Sequence, residues 1–181
     1  MALRRIVRFP EPFLRLPTVP VAEVDRRVRT LVEDMIETMY AADGAGLAAI
    51  QVAAPERIFI IEAAVAGGDK NDLPVVFINP TIDWLSGDTE TKEEGCLSFP
   101  SVFVPVKRSL SCRVRARGLD GSEFVAEGSA LYARAMQHEH DHLLNRLLVD
   151  YVGPVRRQMI KRKLERMTDE EAARLVAAHG E

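Results

Sequence analysis

The sequence has few cysteines, no long apolar run and little net charge. Only two cysteines, Cys96 and Cys112, occur in 181 residues, which argues against a disulfide scaffold and is typical of a reducing compartment. No apolar run approaches the roughly 20 residues that span a bilayer, so no membrane association is expected. A net charge of −3 gives no support to tight binding of a nucleic acid backbone, and no DNA-binding role is expected.

The remaining composition is that of an ordinary globular protein, with 47% hydrophobic and 28% charged residues. The length suits one domain, so we expect a single domain over residues 1–181. The N-terminus is basic, but no apolar segment follows it, and a secretory signal is not expected. Together these features predict a cytoplasmic enzyme.

Hydrophobic periodicity predicts three helices. Apolar residues recur at helical spacing over about 25–42, and this helix should stop at Gly44 and Gly46. A second helix is expected after Ser129, running to about residue 145, and a third, highly charged helix over about 154–178.

Short segments rich in β-branched residues predict strands between the first two helices. They cover residues 57–63, 75–79, 110–117 and, beyond a turn at Asp120–Gly121, 123–126. Residues 6–20 carry four prolines and are expected to form an extended arm on the surface. The whole pattern predicts one α+β domain.

The second helix contains the most informative motif. His138 and His142 are four residues apart, so they share one helix face and can bind one metal ion, with Glu139 beside them to carry a proton. They lie on the same stripe as Leu131, which predicts that they point inward. Two histidines alone could be surface residues, but the glutamate and the inward placement favour a metal site. His140 lies on another face and is expected to be exposed.

A catalytic metal site needs a third protein ligand and an open position. Cys96 is the best candidate, because a thiolate is a strong ligand for divalent metals, although a free cysteine is more commonly a buried core residue. The two histidines favour the ligand interpretation. Cys112 alternates within a predicted strand and is interpreted as a core residue.

Three stretches resemble the signature motifs of the peptide deformylases, in the family's order: residues 44–51 (GAGLAAIQ), 94–98 (EGCLS) and 137–143 (QHEHDHL). The resemblance covers nearly the whole chain. It implies a deformylase-like α+β fold, with antiparallel or mixed β-sheets around a central metal-binding helix and with N-terminal and C-terminal helices.

The resemblance also implies a set of site residues. Cys96, His138 and His142 would hold one divalent metal, usually Fe²⁺ in the family, with Zn²⁺, Ni²⁺ or Co²⁺ as replacements. Glu139 would be the general acid/base. The Gln51 side chain and the Leu97 backbone N–H would stabilise the oxyanion.

The same resemblance suggests where the substrate lies. Gly46 and the chain around it, including Gly44, would pair in β fashion with the substrate backbone, although these glycines could equally be a plain helix stop. Candidates to surround the formylmethionine side chain are Ile50, Phe99, Phe103 and Leu131, each of which could also be a core residue. Phe103 falls where many family members have an arginine, which affects the expected peptide preference.

The implied reaction is hydrolysis of the N-terminal formyl group of nascent polypeptides, in which a metal-activated water attacks and formate leaves. The partners would be formylated nascent peptides and, through the basic C-terminal helix, the ribosome; a solvated helix face is the alternative. Two other functions remain open. One is a metallopeptidase, which also uses His-Glu-x-x-His, and the other is an inactive relative that only binds nascent chains.

Overall fold

The computed structural model describes residues 2–178, with side chains up to residue 170. Within this range, three α-helices and seven β-strands make an α+β fold, as the sequence predicts. The helices are α1 (Arg26–Ala41), α2 (Ala130–Leu143) and α3 (Pro154–Ala178). The strands are β1 (Gly46–Ala48), β2 (Ile58–Ile61), β3 (Val75–Leu85), β4 (Thr89–Glu94), β5 (Val104–Ser109), β6 (Ser111–Arg117) and β7 (Glu123–Ser129).

The strands form two antiparallel sheets. Five strands pair in the order β1-β2-β3-β6-β7, and β4 pairs with β5 in a separate hairpin. The chain leaves β7 directly into α2, which then packs against β1, β2, β6 and β7 of the larger sheet. The central helix α2 therefore lies across the larger sheet. The side of α2 that faces away from this sheet contacts the β4–β5 hairpin.

Strand β2 illustrates how the core is divided. Its four residues are all fully buried, so its sequence reads as an unbroken apolar run. Successive side chains nonetheless point to opposite faces. Ile58 and Ile60 pack with α1, whereas Phe59 and Ile61 pack with α2. The larger sheet is thus covered by a helix on each face.

A further core region joins the N-terminal segment to α3. Val7 and Leu14 are buried there beside Ile160 and Leu164 of α3. The prediction of a surface arm over residues 6–20 is therefore wrong for these two positions. The Val7 and Leu14 side chains are inserted into the core, Leu16 and Val19 remain exposed, and a 3₁₀ turn forms at Pro12–Arg15.

Four observed strands, β2, β3, β6 and β7, agree with the predicted segments, and the structure adds three more. Strand β3 continues to Leu85, beyond the predicted limit at residue 79, and β1, β4 and β5 were not predicted. Strand β4 (TETKEE) is polar and mostly exposed, so it has no apolar alternation to detect. Among the described helices, none has both the length and the apolar character that crossing a bilayer requires.

Candidate active site

Cys96, His138 and His142 come together beneath a cleft between α2 and the segment that follows β4. One ligand atom from each residue lies within 4.8 Å of the others. The Cys96 Sγ is 3.3 Å from the His142 Nε2, and the two imidazoles stand nearly edge to face, 5.2 Å apart. One turn of α2 separates the histidines, as the sequence spacing predicts, and the segment that follows β4 supplies the sulfur. These donors are close enough together to hold one divalent metal ion.

The orientation of His138 is set by Glu94, the last residue of β4. The Glu94 Oε2 lies 2.9 Å from the His138 Nδ1. A carboxylate can only accept, so Nδ1 carries the proton and donates it, which leaves the Nε2 lone pair for a metal. A carboxylate behind a ligating imidazole is the usual support for such a ligand.

Glu94 itself belongs to a buried network of charges. Arg108 donates two hydrogen bonds to its carboxylate, each of 2.9 Å, and also contacts Asp141 at 2.6 Å. Arg134 donates a third hydrogen bond of 2.7 Å to Glu94. Burial would raise the pKa of Glu94, but the contacts with His138 and Arg108 outweigh it and lower that pKa to about 2. Glu94 is therefore a carboxylate at neutral pH.

The surroundings of His138 and His142 shift the pKa values of the two imidazoles in opposite directions. Burial disfavours the charged form of His138, yet the contacts with Cys96 and Glu94 outweigh it and raise the pKa of His138 well above its usual value. For His142, burial and the charge of His138 lower the pKa well below the usual value. The His142 Nδ1 is also buried without a hydrogen-bond partner among the described residues. Two imidazoles and a thiol packed this closely are a donor set that fits a bound cation.

Glu139 follows His138 on α2 and is 5% exposed. Burial raises its pKa to about 7, and within the described residues its Oε2 has no hydrogen-bond partner. Gly46 of β1 lies directly against this carboxylate, because a Cβ on Gly46 would be 2.6 Å from the Glu139 Oε1. Only glycine leaves room for the carboxylate there. The result is a carboxyl group that can both hold and release a proton near neutral pH.

Gln51 lies in the 3₁₀ turn Ala49–Val52, which follows β1, and is fully buried. Its Oε1 accepts a hydrogen bond of 2.8 Å from the Ala48 backbone N–H, which fixes the direction of the amide. Its Nε2 is thereby directed to the Cys96 Sγ at 3.4 Å and to the Ser98 Oγ at 3.1 Å. The amide donor therefore points into the ligand cluster.

Most of the residues proposed from sequence line one cleft of about 600 Å³. Glu139, Gln51, Cys96 and His138 form its polar floor. Other proposed residues on its walls are Gly44, Gly46, Leu97, Phe99, Phe103 and Leu131. Phe103 and Leu131 are 59% and 60% exposed, so they present apolar surface at the rim, whereas Phe99 is buried beneath it.

Two expectations need correction. Ile50 is fully buried in the core between the sheet and α2 and does not line the cleft, because β1 and the turn after it direct its side chain inward. It therefore cannot contact the substrate side chain as expected.

His140 is half-buried rather than exposed, and burial lowers its pKa. It is not part of the ligand cluster, in agreement with its position on another face of α2.

Sequence reasoning missed the residues that support the ligands. Glu94, Arg108 and Arg134 belong to this supporting network, and Ser98 accepts from Gln51. Glu94 could have been suspected, since an acidic residue two positions before a ligating cysteine is well placed to reach a neighbouring ligand. The arginines carried no comparable signal, because buried and exposed arginines look the same in a sequence.

Comparisons with known proteins agree with this geometry. The family model described as "Polypeptide deformylase" matches residues 3–158. The chain is 48% identical to a peptide deformylase of Saccharophagus degradans over 166 residues, covering 92% of this chain and 94% of that relative. It is 47% identical to a peptide deformylase of Teredinibacter turnerae over 172 residues, covering 95% of this chain and 100% of that relative.

The fold is also similar to solved structures. A crystal structure of a peptide deformylase from Legionella pneumophila superposes with a TM-score of 0.87 at 37% identity, covering 94% of this chain and 98% of that one. A peptide deformylase from Ehrlichia chaffeensis in complex with actinonin gives a TM-score of 0.86 at 33% identity, covering 92% and 98%. Since the family match takes in far more than half of the sequence, the chain belongs to the peptide deformylase family.

Proposed function

We propose that the chain acts through one divalent metal ion held by Cys96, His138 and His142. As a peptide deformylase it is a hydrolase that removes the N-terminal formyl group from nascent polypeptides. The observation that carries the proposed mechanism is the close approach of the three ligand atoms, within 4.8 Å, on the floor of a cleft beside Glu139.

The metal is proposed to be Fe²⁺, with Zn²⁺, Ni²⁺ or Co²⁺ able to replace it. One thiolate and two imidazoles suit all four ions, and three protein ligands leave a coordination position open for catalysis. When bound, such an ion supplies a nucleophile at neutral pH by lowering the pKa of water towards about 7. Glu94 supports this assignment, because it holds His138 in the tautomer that a metal needs.

Glu139 is proposed to carry the proton through the reaction. As a carboxylate it accepts a proton from the attacking water, and it then donates that proton to the nitrogen of the breaking C–N bond. Formate and a free amino terminus result. A pKa of about 7 suits both roles, because the group gains and loses a proton with little free-energy difference at neutral pH.

Gln51 and Leu97 are proposed to stabilise the oxyanion that develops on the formyl oxygen. The Gln51 Nε2 points into the ligand cluster, and the Leu97 backbone N–H makes no hydrogen bond within the described part of the chain. Preorganised donors of this kind act on charge that appears only in the transition state.

We therefore expect Gln51→Glu to lower kcat by about 10²–10³-fold, the usual effect of losing one oxyanion donor. Glutamate has nearly the same shape and can still accept from the Ala48 N–H, so the 3₁₀ turn should persist. Formate release and metal content are measured on the same sample. A variant that keeps its metal and the parental kcat would remove Gln51 from the mechanism.

The substrate backbone is proposed to pair with β1. This strand is at one edge of the five-stranded sheet, and Gly44 and Gly46 line the cleft. An exposed sheet edge binds an extended peptide through main-chain hydrogen bonds. Phe99, together with Phe103 and Leu131 at the rim, would then provide apolar surface for the formylmethionine side chain.

The reaction is tested most simply by offering formylated and unformylated forms of the same short methionine-initiated peptide. We expect stoichiometric formate from the formylated peptide, and no cleavage within either chain. Cleavage of an internal peptide bond would instead indicate a metallopeptidase. Metal-loaded protein that binds the peptide but releases no formate would indicate an inactive relative.

Helix α3 is proposed to dock on the ribosome. Ile160 and Leu164 pack in the core, whereas Arg162 and Arg166 are exposed one turn apart. We expect the double charge reversal R162E/R166E to reduce co-sedimentation with ribosomes, because it acts on the surface without exposing the core. Full formate release from free peptide would show that the fold is intact. Unchanged co-sedimentation would contradict the proposal.

The chain is further proposed to be a single domain over residues 1–181 that works in the cytoplasm. Support for one domain comes from the core region that α3 shares with the N-terminal segment and the loop after β4. The cytoplasm is where nascent polypeptides, the substrates of this reaction, emerge in bacteria such as the source organisms of the relatives.

A further inference from the structure

The metal ligands come from two distant parts of the chain. His138 and His142 are on α2, whereas Cys96 follows β4 by two residues. The distance between the sulfur and the imidazoles therefore depends on how α2 is attached to the β4–β5 hairpin. Any side chain that crosses between these elements close to the ligands helps to set that distance.

Arg134 makes this connection with a single guanidinium group. It precedes His138 by four residues, so it lies one turn away on the same side of α2. Its Nη1 donates to the Val106 carbonyl of β5 at 3.0 Å, and its Nη2 donates to the Glu90 carbonyl of β4 at 3.0 Å. One side chain of the helix is thus tied to the backbone of both strands.

The same group also holds the carboxylate that orients a ligand. The Arg134 Nη1 donates to the Glu94 Oε1 at 2.7 Å, while the Glu94 Oε2 accepts from His138. Glu94 is only two residues before Cys96. Arg134 therefore acts on both halves of the ligand set, on the imidazole through Glu94 and on the sulfur through the strand that leads to Cys96.

The contact between Arg134 and Glu94 is buried, so its loss should affect the structure around the metal ligands. The side chains of Arg134 and Glu94 are 11% and 4% exposed. Glu94 accepts hydrogen bonds from both Arg108 and Arg134, and Asp141 contacts Arg108, so guanidinium groups hold both carboxylates in place. Removing the Arg134 guanidinium takes one of these donors from the buried Glu94 carboxylate, and the surroundings must then shift or admit water.

We propose that Arg134 is a positioning residue that sets the separation between the Cys96 sulfur and the two imidazoles, and thereby the affinity for the metal. This inference rests on the metal site proposed above. Lysine would not replace arginine fully, because one ammonium cannot present the planar set of donors that reaches both strands and Glu94.

The test measures metal affinity rather than turnover. Metal-free parent protein, R134M and R134K are titrated with Co²⁺ against a competing chelator, and the visible absorption of the bound ion is recorded. Methionine retains an unbranched apolar stem and removes the guanidinium. R113M is the matched control, because Arg113 pairs with Glu127 on the exposed face of the larger sheet, away from α2.

We expect R134M to bind Co²⁺ about 10–100-fold more weakly, the usual effect of changing a group that supports a ligand, with altered absorption bands. R134K should recover part of this loss, and R113M should match the parent. Equal affinity and identical bands in R134M and the parent would overturn the inference. If R134M does not fold, the test rests on R134K. Parental Co²⁺ affinity and parental absorption bands in R134K would then contradict the inference.

Thermal unfolding of the metal-free proteins separates positioning from general stability. A purely structural role would lower the unfolding temperature of metal-free R134M and leave the Co²⁺ affinity of the folded protein unchanged, which would contradict the proposal. The parent protein tests the underlying assumption in the same assay. Failure of the parent to bind Co²⁺ would count against the metal site itself, whereas binding by the parent and R134M alike would count against Arg134 alone.

Discussion

Glu139→Gln is expected to lower kcat by about 10²–10⁴-fold, the contribution that a positioned acid/base group typically makes. Glutamine occupies the same space beside Gly46 but cannot accept the proton of the attacking water. The side chain is buried, and a neutral amide avoids the free-energy cost of a buried charge, so the fold should be retained. The metal should also remain, because Glu139 is outside the group of three ligand atoms.

The measurement pairs formate release with metal content on the same preparation. Glu123→Gln, the same substitution at an exposed position of β7, serves as the matched control and should behave as the parent. A Glu139→Gln protein with full metal content and the parental kcat would show that another group carries the proton. Loss of metal together with activity would instead mean that Glu139 is needed to build the site.

Cys96→Ala is expected to abolish stable metal binding and, with it, turnover. Two imidazoles remain, which are fewer than the three protein ligands that catalytic sites of this kind use. The loss of affinity should exceed the roughly 10–100-fold effect of changing a group behind a ligand, because a bond to the metal itself is removed. Chelator competition and formate release measure the two consequences separately.

The second cysteine provides a control within the same chain. Cys112 is 1% exposed in the larger sheet, and burial raises its pKa to about 11. It therefore stays protonated at neutral pH and cannot act as a thiolate ligand. Cys112→Ala should keep full metal content and full kcat, with only a modest loss of stability. Retention of metal by Cys96→Ala, or its loss by Cys112→Ala, would contradict the assignment of the sulfur ligand.

The grouping of His138 and His142 was predictable because its signal is local. A four-residue spacing on a helix determines that His138 and His142 share a face, whatever the rest of the fold does. Strands β2 and β6 of the larger sheet were predictable for a similar reason, since their apolar residues mark buried faces. In Ile58–Ile61 both faces of the strand are buried, so apolar residues occupy every position and do not alternate with polar ones.

The support behind the ligands was not predictable, because it depends on contacts between distant segments. Strand β4 is polar, and its importance is that Glu94 reaches His138 across 44 positions of sequence. Nothing in the sequence of α2 indicates that Arg134 reaches β4 and β5, because those contacts depend on how the helix and the strands pack together. Ile50 shows the opposite error, because a family motif identifies a segment that lines a site but does not determine which way each side chain points.

The central claim is that one divalent ion is bound by a thiolate and two imidazoles. X-ray absorption spectroscopy of the anaerobically purified, metal-loaded protein tests it most directly, because it counts the atoms around the ion. With zinc bound, we expect one sulfur at about 2.3 Å and two imidazole nitrogens at about 2.0–2.1 Å. A shell of nitrogen and oxygen without sulfur would contradict the account.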